Sequence, residues 1–318
     1  MLSVVVPMFN ELDALPHFAQ RLRPILQGLD MRYEVVCVDD GSSDGTAQAL
    51  LEMAADWPQL RVVRLRRNAG HQAALTAGLE SAHGDWIVSI DADLQDPPEA
   101  IAEMLQVAID TGVDVVYGVR SDRTSDTRFK RLTASFYYRA MRRAAGVEIP
   151  HHAGDFRLLS RAALDEVRQL GERGRVYRLL IPYMGFSSRE VTYRRDSRVA
   201  GRSKYPLPKM VKLGVESYTS FTTAPLRFAT WMGLIGFVLC GGFAAVSLVS
   251  YFLGETLPGW TSVAIVLGFI GAVQFFFLGL LGEYLARIYT EIQSRPQYFV
   301  NQQPVLERTQ QPEAEGSR

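Results

Sequence analysis

Trp86-Ile87-Val88-Ser89-Ile90-Asp91-Ala92-Asp93-Leu94-Gln95-Asp96 decides how this chain is read. An apolar run of strand length, Trp86–Ile90, passes without a break into a cluster of carboxylates. Such a run reads as a strand buried on both faces. An acidic exit from a buried strand is where an open parallel sheet presents groups to a ligand. Outward from this stretch the pattern recurs. Apolar runs lie at Ser3–Val6, Glu34–Val38, Arg61–Leu65 and Asp114–Tyr117. The helix-length segments Glu11–Leu26, Asp44–Ala55, Gln72–Ala82 and Pro98–Ile109 separate them. Alternation at this spacing predicts an α/β domain with a Rossmann-like, doubly wound, mostly parallel sheet.

The strand exits carry the chemistry. The first runs into Pro7-Met8-Phe9-Asn10-Glu11, the second into Asp39-Asp40-Gly41-Ser42-Ser43-Asp44-Gly45-Thr46, and the fifth into Gly118-Val119-Arg120. In a parallel sheet these ends lie side by side, so one crevice collects several carboxylates and an arginine. Asp91 and Asp93 can hold a hard divalent cation, because Mg2+ takes one or two carboxylates together with substrate phosphates; a solvated Asp-rich turn is the plainer alternative. Asp39 can accept from a uracil N–H or a ribose hydroxyl, while Ser43 or Asp44 suits the cap of the following helix. Gly70, in Asn68-Ala69-Gly70-His71-Gln72, permits a tight turn and a helix N-terminus facing the site, with His71 read as an orienting or packing residue. Asp155, in Gly154-Asp155-Phe156-Arg157-Leu158-Leu159-Ser160-Arg161, reads equally as a structural partner for an arginine and as a base or orienter facing an acceptor. Arg120 and the flexible loop Gly201-Arg202-Ser203-Lys204-Tyr205 suit phosphate, for which Arg offers a planar fork and Lys a point charge.

Composition sets the outer bounds. The 318 residues hold 34 Lys+Arg and 34 Asp+Glu, a formal net charge of zero, so the chain is not a generally basic nucleic-acid binder. Cys37 and Cys240 are the two cysteines, which excludes a disulfide framework and a four-thiolate metal site. Charge is concentrated before Arg227, and two uncharged apolar runs follow. Phe228–Leu253 is 26 residues, about 39 Å as a helix. Trp260–Gly282 is 23 residues, about 34 Å. Either spans a bilayer core of about 30 Å with some tilt, and the short connection 254–259 predicts a two-helix transmembrane hairpin. Arg227 before the pair and Arg287 and Arg295 after it predict that the large N-terminal part and both termini face the cytoplasm, as in a multi-pass protein of the inner (cytoplasmic) membrane. The start, Met1–Pro7, lacks a basic region ahead of its apolar run and does not read as a signal peptide. Leu207, Met210, Val211, Gly214, Tyr218 and Phe221 share one helical face, which predicts an amphipathic helix lying in the membrane interface. Ala264, Gly268 and Ala272 form a small-residue ridge suited to close helix packing, within the pair or between copies as a homo-oligomer. The tail 304–318 is polar and reads as disordered. The expected divisions are residues 1–205, 206–225, 226–290 and 291–318.

Taken jointly, these clusters resemble glycosyltransferase family 2, and within it the membrane-bound polyprenyl-phosphate glycosyltransferases, such as bactoprenol glucosyltransferases and dolichol-phosphate mannose synthases. The residues that carry the resemblance are Val4–Glu11, Val38–Thr46, Arg67–His71, Asp91–Glu99 and Gly154–Leu158, joined by Gly279–Tyr284 and Arg295–Tyr298. The resemblance implies a GT-A fold, a nucleotide-sugar donor with UDP-glucose favoured, a polyprenyl (undecaprenyl) phosphate acceptor and inversion at the anomeric carbon. It places Pro7, Asn10, Glu11, Asp39 and Asp40 at the nucleotide, and Asp91, Asp93 and Gln95 at the Mg2+ or Mn2+ and diphosphate. It places Arg120, Arg131, Arg202 and Lys204 at phosphate, and Asp155 beside the acceptor. A flippase or a transferase on the lumenal or periplasmic side is implied downstream. Two other readings stand beside it. One is a processive polysaccharide synthase, disfavoured because a QxxRW-type motif is missing. The other is a non-catalytic nucleotide-binding membrane protein, disfavoured by the intact acidic pair.

Overall fold

The computed structural model describes residues 1–121, 153–172, 175–194, 224–253 and 260–301. The chain divides into two compact units. The first comprises Met1–Ser125, Pro150–Ser203 and Pro296–Arg318, the second Asp126–Ile149 and Lys204–Arg295.

In the first unit the strands are β1 (Leu2–Met8), β2 (Tyr33–Asp39), β3 (Leu60–Arg64), β4 (Trp86–Ser89), β5 (Val115–Arg120), β6 (Ala153–Ser160) and β7 (Ser188–Tyr193). The helices are α1 (Leu15–Gln27), α2 (Thr46–Asp56), α3 (His71–Ser81), α4 (Ala100–Thr111), α5 (Arg161–Gln169) and α6 (Tyr177–Tyr183). One sheet runs in the order β3-β2-β1-β4-β6-β5-β7. Its pairs are parallel except where β6 lies antiparallel between β4 and β5. The parallel part is the expected one, and its register sets Met8 opposite Asp39 and Asp39 opposite Arg64, so three exits end at one level.

Side-chain alternation along the strands divides the core. Val4, Val6, Val35 and Cys37 face Leu15, Phe18, Leu22 and Leu26 of α1 and Met104 of α4. Val5, Val36 and Val38 face Ala74 and Leu75 of α3, with Leu164 of α5 and Tyr177 of α6 on the same face. All of these are buried. Removing one such side chain, as in Leu22→Ala, costs about 2–5 kcal/mol. Gly78 lets α3 lie close on the sheet, since a Cβ there would come within 2.3 Å of Val5 Cγ1.

Two strands and two helices go beyond the sequence pattern. β6 carries Asp155 and Arg157 inside the sheet, so it does not read as an apolar run, and β7 is a largely exposed edge strand. The segment after the apolar helices, expected as a tail, is partly built into this unit. Val300 bridges Leu65 in antiparallel fashion. Arg66 N–H donates to the Phe299 carbonyl at 2.8 Å, and Asn301 N–H donates to the Arg64 carbonyl at 2.7 Å. The Tyr298 hydroxyl donates to Glu80 of α3. The free edge of β3 is thereby covered, a recurrent solution to the exposed edge of a sheet.

The second unit contains α7 (Ala224–Phe252) and α8 (Trp260–Ile292), 29 and 33 residues long and in contact with each other. Among the described residues one stretch, Phe269–Ile292 with mean hydropathy 1.6, is long and apolar enough to cross a membrane. It is shifted toward the C-terminus relative to the expected span 260–282. A pair of crossings remains a reading of the sequence. The amphipathic run 207–221, the basic residues Arg131, Arg202 and Lys204, and the tail 304–318 lie outside the described residues. So do the side chains of the Ala264, Gly268 and Ala272 ridge.

Candidate active site

The exits of β1 and β2 are tied to one another by side chains bonding to backbone. Asn10 adopts a left-handed conformation, φ 53°. Its N–H donates to Ser42 Oγ at 2.9 Å, and its Oδ1 accepts from Ser43 N–H at 2.9 Å. Glu11 N–H donates to Thr46 Oγ1 at 3.0 Å. Asp44 Oδ1 accepts from the Thr46 N–H and hydroxyl at the start of α2; the N-cap is Gly45, which has no side-chain cap bond, so neither Ser43 nor Asp44 takes the expected cap position. Pro7 is buried within β1 opposite Val38 and supports the exit from behind.

Asp39 is fully buried. Its Oδ1 accepts from Ser42 N–H at 3.1 Å, and Arg64 Nε stands 3.6 Å from its Oδ2. That Oδ2 has no hydrogen-bond partner among the described residues. A buried carboxylate oxygen without a donor is costly, and a ligand N–H or hydroxyl would satisfy it. Asp40 differs. Both its oxygens accept backbone N–H groups, from Ala69 at 2.7 Å and Gly70 at 3.0 Å. Burial, with Asp39 adding to it, raises its pKa despite those bonds. Asp40 thus holds the loop into α3, and Gly41 lets that loop approach. At φ +68° a Cβ on Gly41 would lie 2.6 Å from the Arg67 carbonyl carbon.

At the exit of β4 exposure alternates. Asp91, Asp93 and Gln95 are half-buried, whereas Ala92, Leu94 and Asp96 are buried. Leu94 takes φ 56°, a left-handed turn that is costly for a branched side chain. Asp93 Oδ1 accepts from Gln95 N–H at 3.1 Å. Desolvation in the crevice pushes the Asp91 carboxyl up to about 6, with Asp155, Asp96 and Asp93 adding to the rise and His71 opposing it.

His71, the first residue of α3, joins this exit to β6. Its Nε2 lies 3.3 Å from Asp155 Oδ2 and 3.8 Å from Asp91 Oδ1. Burial disfavours the imidazolium, but the bond to Asp155 and the charges of Asp91 and Asp155 prevail and raise its pKa. Asp155 Oδ1 accepts from Arg157 Nη2 at 2.9 Å, and its Oδ2 from Gln72 Nε2 at 3.3 Å. Arg178 Nη2 stands 3.8 Å away. Burial alone would raise the Asp155 carboxyl, yet His71, Arg157 and Arg178 hold it well below the usual carboxylate range. Arg157 is buried and also donates to the carbonyls of Tyr177 and Gly154. Arg120 donates to Asp96 and to Tyr193.

The structure therefore brings Asn10, Glu11, Asp39 and Asp40 to one cluster of strand exits. It links Asp91 through His71 to Asp155, and sets Arg120 on Asp96 of the β4 exit. His71 is more central than its sequence reading allowed. Arg157 has a signal that was available: two residues from Asp155, it falls on the same face of a strand. Tyr193 and Arg178 have none, because Tyr193 ends a largely exposed strand and Arg178 lies in a helix of only seven residues.

A group of three or more His, Cys, Asp or Glu able to hold a metal is not found among the described residues. Asp91 and Asp93 supply two carboxylates, which suits a hard cation whose other oxygens come from the substrate. Burial, with Asp155, Asp96 and Asp93 adding to it, raises the Asp91 carboxyl, and a cation bound there would favour its ionised form.

The family model for Glycosyl transferase family 2 matches residues 3–168. An uncharacterized glycosyltransferase of Bacillus subtilis, YkcC, is 39% identical over 302 residues, covering 94% of this chain and 92% of that protein. The SfII prophage-derived bactoprenol glucosyl transferase of Shigella flexneri is 37% identical over 303 residues, covering 94% and 97%. Among solved structures, the glucosyl-3-phosphoglycerate synthase from Mycobacterium tuberculosis, in complex with Mn2+, UDP and glucosyl-3-phosphoglycerate, aligns with a TM-score of 0.48 and 22% identity. It covers 67% of this chain and 76% of that one.

Proposed function

The chain belongs to glycosyl transferase family 2 and is a glycosyltransferase, and from that premise we propose that it moves a hexose from a nucleoside diphosphate sugar, UDP-glucose favoured, to undecaprenyl phosphate with inversion at the anomeric carbon. The lipid acceptor is supported by the likeness to a bactoprenol glucosyl transferase over nearly the whole of both chains. The observation that carries the chemistry is the linkage of Asp91 through His71 to Asp155 across the strand exits.

In this reading the unpartnered Oδ2 of Asp39 accepts the imide N–H of a uracil, while Asn10, Glu11 and Asp40 shape the loops around the nucleoside. Asp91 and Asp93, with Gln95 beside them, would hold Mg2+ or Mn2+, which would supply neutralisation of the charge that develops on the leaving diphosphate. A phosphate oxygen of the acceptor attacks the anomeric carbon, and the bond from that carbon to the diphosphate oxygen breaks. The nucleoside diphosphate departs with the electron pair. The acceptor, a phosphate monoester with a second pKa near 6, is largely ionised at neutral pH. No proton has to be removed, so Asp155 need not be a base. Held ionised by Arg157 and His71, it is a weak one, and its role is to orient the cations that face the acceptor. Arg120, Arg131, Arg202 and Lys204 bind phosphate. Catalysis then rests on positioning and electrostatics.

The acceptor's tail keeps the enzyme at the membrane. We assign residues 206–225 to the interface and α7 and α8 to a hairpin, with the catalytic unit and both termini cytoplasmic. The lipid-linked sugar made on that side calls for a flippase and a transferase beyond the membrane.

Membranes from cells producing the full chain, incubated with a panel of labelled nucleotide sugars and resolved by thin-layer chromatography, test this. One labelled, chloroform-soluble, mild-acid-labile product that grows with added undecaprenyl phosphate is expected. Label that accumulates in polymer, or that never enters lipid with any donor, would contradict the reading.

A further inference from the structure

Arg120 ends β5 directly opposite Tyr193, the last residue of β7 in the parallel register. The Arg120 Nε donates to the Tyr193 hydroxyl oxygen at 3.3 Å, and its Nη2 donates to Asp96 Oδ1 at 3.3 Å. The Tyr193 hydroxyl in turn donates to that same Asp96 oxygen at 2.5 Å. Three side chains from three separate elements therefore close a ring.

The members differ in exposure. Asp96 is 1% exposed, whereas the Arg120 side chain is 28% exposed and reaches the crevice. Asp96 is turned inward by the alternation through Leu94 that leaves Asp91 and Asp93 half-buried. The Tyr193 ring is fixed edge-on against Phe156, with centroids 5.4 Å apart and planes at 74°. Phe156 follows Asp155 in β6. Each member of the ring is thus held by its own element, and only Arg120 keeps a partly exposed side chain.

We propose that Tyr193 is a positioning residue that keeps Arg120 available to the acceptor phosphate by engaging Nε and leaving a single guanidinium contact, from Nη2, to the buried Asp96. Arg and carboxylate pair best as a two-pronged fork. Here the hydroxyl takes the place of one prong: it accepts from Nε and donates to the carboxylate. Without it, Arg120 would close onto Asp96 with both prongs and withdraw from the crevice. Burial and the Asp96 carboxylate raise the Tyr193 hydroxyl above its ordinary pKa, so it stays a proton donor throughout the working range.

This inference rests on the assignment of Arg120 to acceptor phosphate. It is tested with farnesyl phosphate, titrated calorimetrically into the full-length chain in detergent micelles, for the wild type, Arg120→Ala, Tyr193→Phe and the double variant. Tyr193→Phe preserves the ring contact with Phe156 and should fold. It should weaken farnesyl phosphate binding about threefold to tenfold, the worth of one hydrogen bond, and leave UDP binding unchanged. In the Arg120→Ala background it should have no further effect. Tyr193→Phe that binds farnesyl phosphate as the wild type does, or that adds its full loss on top of Arg120→Ala, overturns the positioning role. A lowered melting temperature with an unchanged dissociation constant would show it to be merely structural. If Arg120→Ala itself binds normally, the phosphate assignment falls and this proposal with it.

Discussion

His71 Nε2 lies 3.3 Å from Oδ2 of Asp155, joining the first turn of α3 to the antiparallel strand β6. That contact, continued at 3.8 Å to Asp91, crosses the line where the parallel part of the sheet gives way to its reversed strand. His71, Arg157 and Arg178 surround Asp155, and the carboxylates of the β4 exit gather on the other side, where His71 faces Asp91 and Arg120 faces Asp96. The reaction proposed here needs both: cations for the acceptor and a pocket of negative charge for a metal.

Asp155→Asn should lower stability as well as transfer. The substitution leaves Arg157 buried without its carboxylate, and breaking such a pair costs about 3–5 kcal/mol. The sign with pH is fixed. The folded carboxyl lies below its ordinary value of 3.8, so its contribution is present above that value and lost as pH falls below it. Thermal melts of the full chain in detergent should show the gap between wild type and variant narrowing below about pH 4. A constant gap at all pH values would contradict the ionised-orienter role.

Asp91 behaves in the opposite sense. Its folded carboxyl is pushed up from 3.8 to about 6, so ionising it works against the fold as pH rises through that interval. Without metal, Asp91→Asn should therefore melt higher than wild type at pH 7 and show little advantage at pH 4. Added Mn2+ should raise the melting temperature of wild type and leave that of Asp91→Asn nearly unchanged. Equal shifts in both proteins would remove Asp91 from the metal site.

Asp39 has a buried oxygen without a hydrogen bond among the described residues, which the proposed reading gives to the nucleotide. Asp39→Asn keeps the shape but can present an amide N–H where an acceptor is required. A hydrogen bond to a charged group is worth about 1.5–3 kcal/mol, so UDP should bind roughly tenfold to a hundredfold more weakly. Calorimetric titration of UDP into the full chain measures this, and wild-type affinity in the variant would place the base elsewhere.

How much of this was legible follows from the kind of residue involved. The strands β1, β2, β4 and β5 announce themselves because each is buried on both faces, and the carboxylates at the exits of β2 and β4 stand out against apolar runs. Asp39, Asp91 and Asp93 were found that way. β6 hid because Asp155 and Arg157 interrupt it, and its antiparallel direction cannot be read from a pattern of alternation. Asp40 looked like its neighbour Asp39; only the bonds from Ala69 and Gly70 separate a loop anchor from a ligand group. Residues 296–301 looked like the start of a tail because the β3 edge they cover lies more than 200 residues earlier, beyond any local signal.

That edge carries its own prediction. Val300→Pro should not break a described hydrogen bond of its own N–H but should force the backbone at the Leu65 bridge. Hydrogen exchange at Arg66 and Asn301, whose N–H groups donate to the Phe299 and Arg64 carbonyls, should then speed up, while protection in the central strand β1 stays as in wild type. Unchanged exchange at both positions would mean that the segment does not hold the edge.

The central claim is sugar transfer to a lipid phosphate by a metal-assisted site, and one measurement addresses it directly. Purified full-length chain in detergent is given UDP-[14C]glucose and undecaprenyl phosphate, and label in the organic phase is followed with Mn2+ and with EDTA, for wild type and Asp93→Asn. The account predicts lipid-linked label with wild type and Mn2+ only, with EDTA and Asp93→Asn each abolishing it. Full transfer by Asp93→Asn in EDTA would contradict it.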